Sequence, residues 1–63
     1  MVNLSKEYIE LHYKLAFMDF KQAITKQEKQ DSQRTMARLE RIAMEQYGFN
    51  YADNLHKKII GEQ

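Results

Sequence analysis

Apolar side chains between residues 4 and 24 fall on two opposite sides of a helix, at the helical spacing of about 100° per residue. The first side contains Leu4, Tyr8, Leu11, Leu15 and Met18. The opposite side contains Ile9, Tyr13, Ala16, Phe20, Ala23 and Ile24. This pattern predicts a long helix 1, from about Leu4 to about Gln30, with Asn3 or Ser5 as its N-cap.

The stretch 25–33 contains no large apolar side chain, and a helical hairpin that turns here is the favoured interpretation. Asp31 and Ser32 are good N-cap residues for a second helix. The alternative is one uninterrupted helix, because neither glycine nor proline occurs before Gly48. We favour the hairpin because a lone long helix would leave both apolar sides exposed.

Helix 2 is predicted over about residues 33–47, with an apolar face that contains Met36, Leu39, Ala43 and Tyr47. A turn near residue 30 would pair the two helices antiparallel. The expected neighbours across the hairpin are Ile24 with Met36, Phe20 with Leu39, and Tyr13 with Tyr47.

Gly48 is expected to end helix 2 in the left-handed conformation, which glycine adopts without a steric penalty. Asn50 is the expected cap of a third helix over about residues 51–60. Such a helix spans roughly 15 Å, whereas the first side of helix 1 spans about 21 Å. Part of that side should therefore stay exposed in a monomer. The expected fold is all-α: an antiparallel helical hairpin plus a short third helix, in one domain over 1–63.

The length of 63 residues and the absence of cysteine favour self-association. Domains of this size bury a marginal core and usually require disulfides, a metal or a second subunit. Disulfides and thiolate zinc sites are excluded, which leaves oligomerisation. A homo-oligomer is therefore expected. The residues assigned to its interface, or to the interface with another protein, are Leu4, Tyr8, Leu11, Leu15 and Met18.

Residues that could carry catalysis or bind a metal are few. His12 and His56 are the only histidines, and neither belongs to a repeated metal-ligand motif. Ser5 and Ser32 lie at expected helix starts, where capping explains both. Because a glycine-rich phosphate loop is also missing, the sequence predicts a non-enzymatic protein with no catalytic, cofactor-binding or metal-binding residue.

Basic residues are concentrated in the middle of a chain whose net charge is +1. Segment 21–41 holds six basic and three acidic residues, a net charge of +3. A candidate nucleic-acid surface in this segment contains Lys26, Lys29, Arg34, Arg38 and Arg41. A helix-turn-helix interpretation of residues 36–60 fits poorly, because Asn54 and Lys57 stand where that motif usually buries aliphatic residues. A solvated helix face is the simpler account of the basic residues.

The opening Leu4-Ser5-Lys6-Glu7, followed by Tyr13 and Ala16, resembles the start of small sporulation-checkpoint inhibitors of histidine kinases. The likeness covers about a dozen residues, and the sequence departs from that pattern afterwards. Members of that family are helical hairpins. The resemblance implies a helical hairpin that binds another helical protein.

Taken together, these patterns predict a small non-enzymatic interaction module, a regulator or inhibitor that binds another protein and self-associates as a homodimer. The alternative is a small nucleic-acid-binding regulator that uses the basic residues of helix 2. No apolar run approaches the roughly 20 residues of a membrane span, and the N-terminus lacks the pattern of a signal peptide. We therefore expect a cytoplasmic protein without a membrane partner.

Overall fold

The computed structural model describes residues 3–61, which form three α-helices without strands. Helix α1 spans Lys6–Gln22, α2 spans Lys26–Tyr47 and α3 spans Phe49–Ile60. The α1–α2 hairpin has the most extensive interface, and α3 packs on α2 more than on α1. The expected all-α hairpin with a short third helix is confirmed. None of the helices in residues 3–61 is long and apolar enough to cross a bilayer.

The N-cap of α1 is one of the two residues that the sequence predicted, although the helix begins at Lys6 rather than at about Leu4. Ser5 is the N-cap, and its hydroxyl accepts a hydrogen bond from the Tyr8 N–H at 3.1 Å. Glu7 lies in the first turn, where a negative charge is stabilised by the helix dipole. The N-cap therefore fixes the residue at which α1 begins.

The turn of the hairpin lies earlier in the chain than the sequence pattern predicted. Helix α1 ends at Gln22 rather than about Gln30, and Thr25 caps α2. The Thr25 hydroxyl accepts the Glu28 N–H at 3.2 Å, and the Glu28 carboxylate accepts the Thr25 N–H at 3.1 Å. This capping box satisfies two otherwise unpaired donors. Asp31 and Ser32, the expected caps, lie within α2.

The earlier turn changes which residues meet across the hairpin. Tyr13 meets Glu40 rather than Tyr47, about two helical turns away from the expected neighbour. Ile24, expected to pack on Met36, lies in the turn and is 90% exposed. The prediction for Ile24 was therefore wrong, because it assumed that α1 continued past residue 24.

Gly48 joins α2 and α3 without an intervening loop. Its φ is 96° and its ψ is 164°. The positive φ was expected, but ψ places the residue in an extended region that is essentially restricted to glycine, not in the left-handed helical region. The Gly48 N–H donates to the Met44 carbonyl, and its own carbonyl accepts the Ala52 N–H. Helix α3 therefore begins at Phe49, and Asn50 is not its cap.

The core lies where the three helices meet. Its buried side chains are Ile9, Tyr13, Ala16, Met36, Leu39, Ala43, Ala52 and Leu55. All three helices contribute, so α1 is buried along its Ile9–Ala16 side. The other apolar side of α1 faces away from this core.

Candidate interaction surface

Four large apolar side chains form an exposed row on the outer side of α1. Tyr8, Leu11, Leu15 and Met18 are 45%, 54%, 46% and 44% exposed. We call this row the α1 seam. Because the helix buries its opposite side in the core, the seam is held in place by packing that does not involve it. Four of the five residues predicted as an interface therefore lie together on one accessible surface.

Leu4, the fifth residue of the predicted interface, is not part of the seam. It precedes α1, is half-buried and packs against the core. Its N–H donates to the Gln46 side-chain oxygen at 3.0 Å, and its carbonyl accepts the Tyr47 hydroxyl at 2.6 Å. These contacts fasten the chain before α1 to the end of α2, so Leu4 serves the fold.

Helix α3 does not cover the α1 seam. It runs beside another flank of α1, where the Lys58 ammonium lies 2.6 Å from the Glu10 carboxylate. Ile59 lines a shallow cavity with Phe17 and Met18 on the same flank. The short third helix therefore reaches only the border of the seam, and the rest stays open to solvent.

The two borders of the seam differ in charge. Glu7, Lys14 and Lys21 follow one border, whereas His12 and Asp19 follow the other. The His12 ring stacks on Tyr8 with centroids 4.0 Å apart. The seam therefore has a mixed charged border on one side and an aromatic and acidic border on the other.

The groove between α1 and α2 continues the acidic border. Asp19, Asp31 and Ser32 line it, together with His12 and Leu15 of α1. Asp31 accepts a hydrogen bond from the Gln27 amide at 3.2 Å. Within residues 3–61, no ion pair involves Asp19 or Asp31. The groove therefore presents uncompensated negative charge directly beside the apolar seam.

The predicted basic surface is divided by the structure. Arg34, Arg38 and Arg41 are exposed on the side of α2 opposite its buried residues, and we call them the arginine face. At about 100° per residue, Lys26 and Lys29 lie roughly 90° and 150° around the helix from this face. The five residues therefore do not form one continuous ridge. In the described range 3–61, no ion pair joins Arg41 to Glu45, although their spacing would allow one.

A polar cluster that the sequence did not predict connects all three helices. The Tyr13 hydroxyl of α1 donates to the Glu40 carboxylate of α2 at 3.0 Å and lies 3.0 Å from His56 Nδ1 of α3. His56 Nδ1 is also 2.9 Å from that carboxylate. Burial, the hydrogen bond to Glu40 and the negative charge of the Glu40 carboxylate all raise the pKa of Tyr13. A tyrosine in the middle of a core stripe was a signal that its hydroxyl needed a partner.

Two further aspects of the surface bear on function. Phe49 and Met44 are 66% and 46% exposed beside a shallow groove that also contains Ala52 and His56. Among residues 3–61, no group of three or more His, Cys, Asp or Glu side chains is arranged to hold a metal ion. The α1 seam is the longer of the two apolar surfaces, and it lies on one continuous helix.

Comparisons with known proteins add no relative from which a function could be transferred. The chain matches no protein-family model, and no curated protein or solved structure is significantly similar to it.

Proposed function

We propose that this protein is a small non-enzymatic interaction module, a regulator or inhibitor that binds a helix through the α1 seam. The observation that carries the proposal is the half-exposed row of Tyr8, Leu11, Leu15 and Met18 on a helix whose other side is buried. Contiguous apolar patches on small soluble domains mark interaction sites more often than isolated exposed residues do. The proposed partner is therefore another protein.

The spacing of the seam favours a helix as the bound element. Its residues are separated by three, four and three positions, so they form a straight apolar strip along α1. A strip of this shape fits the apolar side of a second helix, in the manner of helix-in-groove and coiled-coil recognition. Because these side chains are already about half-buried, each one covered on binding contributes about half of the roughly 1.5–3 kcal/mol of full burial, before the entropic cost of association.

A labelled helical peptide tests this proposal. The peptide carries leucine at the two apolar positions of each heptad and glutamine at the flanking positions, so that only apolar packing is probed. Fluorescence anisotropy should show that the wild-type protein binds it, and Leu11→Asp or Leu15→Asp should weaken binding by about tenfold or more, because a charge enters the contact. Arg38→Asp, on the opposite surface of α2, is the matched control and should bind like the wild type.

Binding of equal strength by Leu11→Asp, Leu15→Asp and the wild type would contradict the proposed surface. Failure of the wild-type protein to bind the peptide at any concentration would contradict helix recognition itself. Leu11 and Leu15 are half-exposed and lie outside the core, so both variants should keep their helices. Circular dichroism of each variant checks this.

A nucleic-acid-binding regulator is the second candidate. The observation that favours it is the arginine face, whose three guanidinium groups are exposed at successive turns of one helix. Arginine binds phosphate through paired donors. Glu45 lies on the same side of α2 and reduces the positive potential of the face, which makes this candidate the weaker of the two.

A further inference from the structure

The spacing of the α1 seam is that of two coiled-coil heptads. Tyr8 and Leu15 occupy the a positions, and Leu11 and Met18 occupy the d positions. The residues that flank an a/d seam are g on one side and e on the other. In α1 the g positions hold Glu7, Lys14 and Lys21, and the e positions hold His12 and Asp19.

These flanking charges are complementary to a second copy of the same helix in parallel orientation. In a parallel pair, each g residue approaches the e residue of the next heptad on the other helix. Lys14 would face Asp19 of the second copy, and Glu7 would face its His12. Twofold symmetry forms each contact twice. Parallel pairing therefore places a charged or hydrogen-bonding partner opposite each of these four side chains.

Antiparallel pairing of the same seam would be less favourable than parallel pairing. In that arrangement g residues approach g residues, and the axis would lie between Leu11 and Leu15. Glu7 would then lie near Lys21 of the second copy, which is an attractive contact. Lys14, however, would lie close to Lys14 near the centre, and Asp19 would have no basic residue opposite it. Parallel pairing places Lys14 and Asp19 opposite each other, whereas antiparallel pairing places Lys14 opposite itself, so the borders favour the parallel orientation.

The ion pairs that join described residues lie away from the seam. Away from the seam, Glu10 pairs with Lys58 and Asp53 pairs with Lys57. In residues 3–61, Glu7, Lys14 and Asp19 form no ion pair. The Lys14 ammonium of a second copy would reach Asp19 at the edge of the groove that also contains Asp31, where it would offset part of the negative charge of the two carboxylates.

We propose that the protein forms a parallel, in-register homodimer through α1, with Tyr8, Leu11, Leu15 and Met18 in the seam and Lys14–Asp19 ion pairs across it. The proposal rests on the proposed function, since it names a second copy as the occupant of the same surface. The helices α2 and α3 lie on the core side of α1 and leave room for the second α1. The seam is about 15 Å long, so the dimer is weak and concentration-dependent.

Charge reversal tests the ion pairs. Sedimentation equilibrium over micromolar to millimolar concentrations should show self-association of the wild type. Lys14→Glu and Asp19→Lys should each weaken it by about tenfold or more, because each places like charges opposite one another twice. Mixing the two variants restores opposite charges and should restore a heterodimer. Lys29→Glu, with the same charge change in the first turn of α2, is the control and should dimerise like the wild type.

Cysteine cross-linking tests the orientation, and the chain contains no natural cysteine that would interfere. In a parallel dimer, Met18→Cys should form a disulfide with itself, and so should Tyr8→Cys. In an antiparallel dimer each would cross-link only when the two variants are mixed, because the two positions lie about 15 Å apart along the helix. Cross-linking confined to the mixture overturns the proposal, as does a wild type that stays monomeric at every concentration.

The two proposals fail in different ways. A wild-type protein that never self-associates but still binds the uncharged helical peptide overturns the homodimer and leaves the proposed function intact. A protein that neither self-associates nor binds the peptide overturns both. Because Lys14→Glu retains the whole apolar seam, this variant should still bind the peptide while it fails to dimerise.

Discussion

Tyr13 combines an apolar and a polar role in one side chain. Its ring lies in the core with 1% of the residue exposed, whereas its hydroxyl contacts Glu40 and His56. A buried hydroxyl without a partner would cost about 1–3 kcal/mol. The contacts to α2 and α3 therefore permit a tyrosine at a position where an aliphatic residue would otherwise be expected.

The raised pKa of Tyr13 predicts a loss of stability at alkaline pH. Its neutral form is favoured in the folded protein, so its contribution is complete below the ordinary pKa of 10.0 and is lost as pH rises above that value. In urea denaturation followed by circular dichroism, the free energy of unfolding should fall more steeply above pH 10 in the wild type than in Tyr13→Phe.

Near neutral pH, Tyr13→Phe should lower the free energy of unfolding by about 1 kcal/mol, the net value of one hydrogen bond. Tyr8→Phe is the matched control, because the Tyr8 side chain lies on the exposed seam and not in the cluster. If Tyr13→Phe and the wild type respond identically to alkaline pH, the Tyr13 hydroxyl does not stabilise the fold as described.

The sequence predicted the burial of Tyr13 but not its partners. Its membership of the Ile9 side of α1 follows from helical periodicity alone. Its partners depend on the register of the hairpin, which is set by the turn. The predicted turn lay too late in the chain, so the predicted neighbour of Tyr13 was Tyr47, two helical turns away from its actual partner Glu40.

At the scale of the helices, side-chain capping rather than the apolar pattern determined where α2 begins. The stretch 25–33 is polar throughout, and this was interpreted as a connection between helices. The structure instead makes it the exposed first turns of α2, starting from the Thr25–Glu28 capping box. The motif Thr-x-x-Glu was present in the sequence. Its hydrogen bonds also lower the pKa of Glu28.

The junction of α2 and α3 gives a prediction for Gly48. No heavy atom outside the adjoining residues lies within 4 Å of the position that a Cβ would occupy, so a substitution is strained through the backbone rather than by a clash. Gly48→Ala and Gly48→Val should therefore each lower the free energy of unfolding by about 1–3 kcal/mol. Asparagine should give no relief, because it tolerates the left-handed helical region and not this one. Thermal or urea denaturation measures all three variants.

Chemical synthesis supplies a sharp control for Gly48. A D-alanine at this position adopts positive φ without strain, so Gly48→D-Ala should be as stable as the wild type or slightly more stable. Equal destabilisation by both alanine enantiomers would show that the backbone at residue 48 does not have the conformation described.

For the molecule as a whole, the charge distribution allows a decisive test of the nucleic-acid alternative. If the arginine face binds phosphates, affinity for a labelled duplex should fall steeply with salt. Replacing Arg34, Arg38 and Arg41 by glutamine should reduce the slope of log affinity against log salt by about 0.9 per lost contact. Replacing Lys26 and Lys29, which lie off this face, should change it less. Absence of duplex binding at low salt would eliminate the alternative.

The sequence predicted the architecture better than it predicted the contacts between the helices. Two apolar sides on α1 and the glycine at position 48 were sufficient for three helices and for an exposed outer side of α1, although the polar stretch 25–33 belongs to the start of α2 and not to the turn. The position of Leu4 could not be predicted from this pattern. It falls on the same side as Tyr8 by periodicity, but the helix begins only at Lys6, and the preceding backbone turns toward Gln46 and Tyr47.

Because α1 contributes both to the core and to the seam, binding at the seam is thermodynamically coupled to folding. A partner that holds the outer side of α1 binds only the folded chain, so it shifts the unfolding equilibrium by RT ln(1 + [L]/Kd). At a partner concentration of about 100 Kd this amounts to about 2.7 kcal/mol, a large share of the stability of a domain this small. The total cellular amount of the chain would then follow the supply of its partner, since the unbound form spends more time open to proteases.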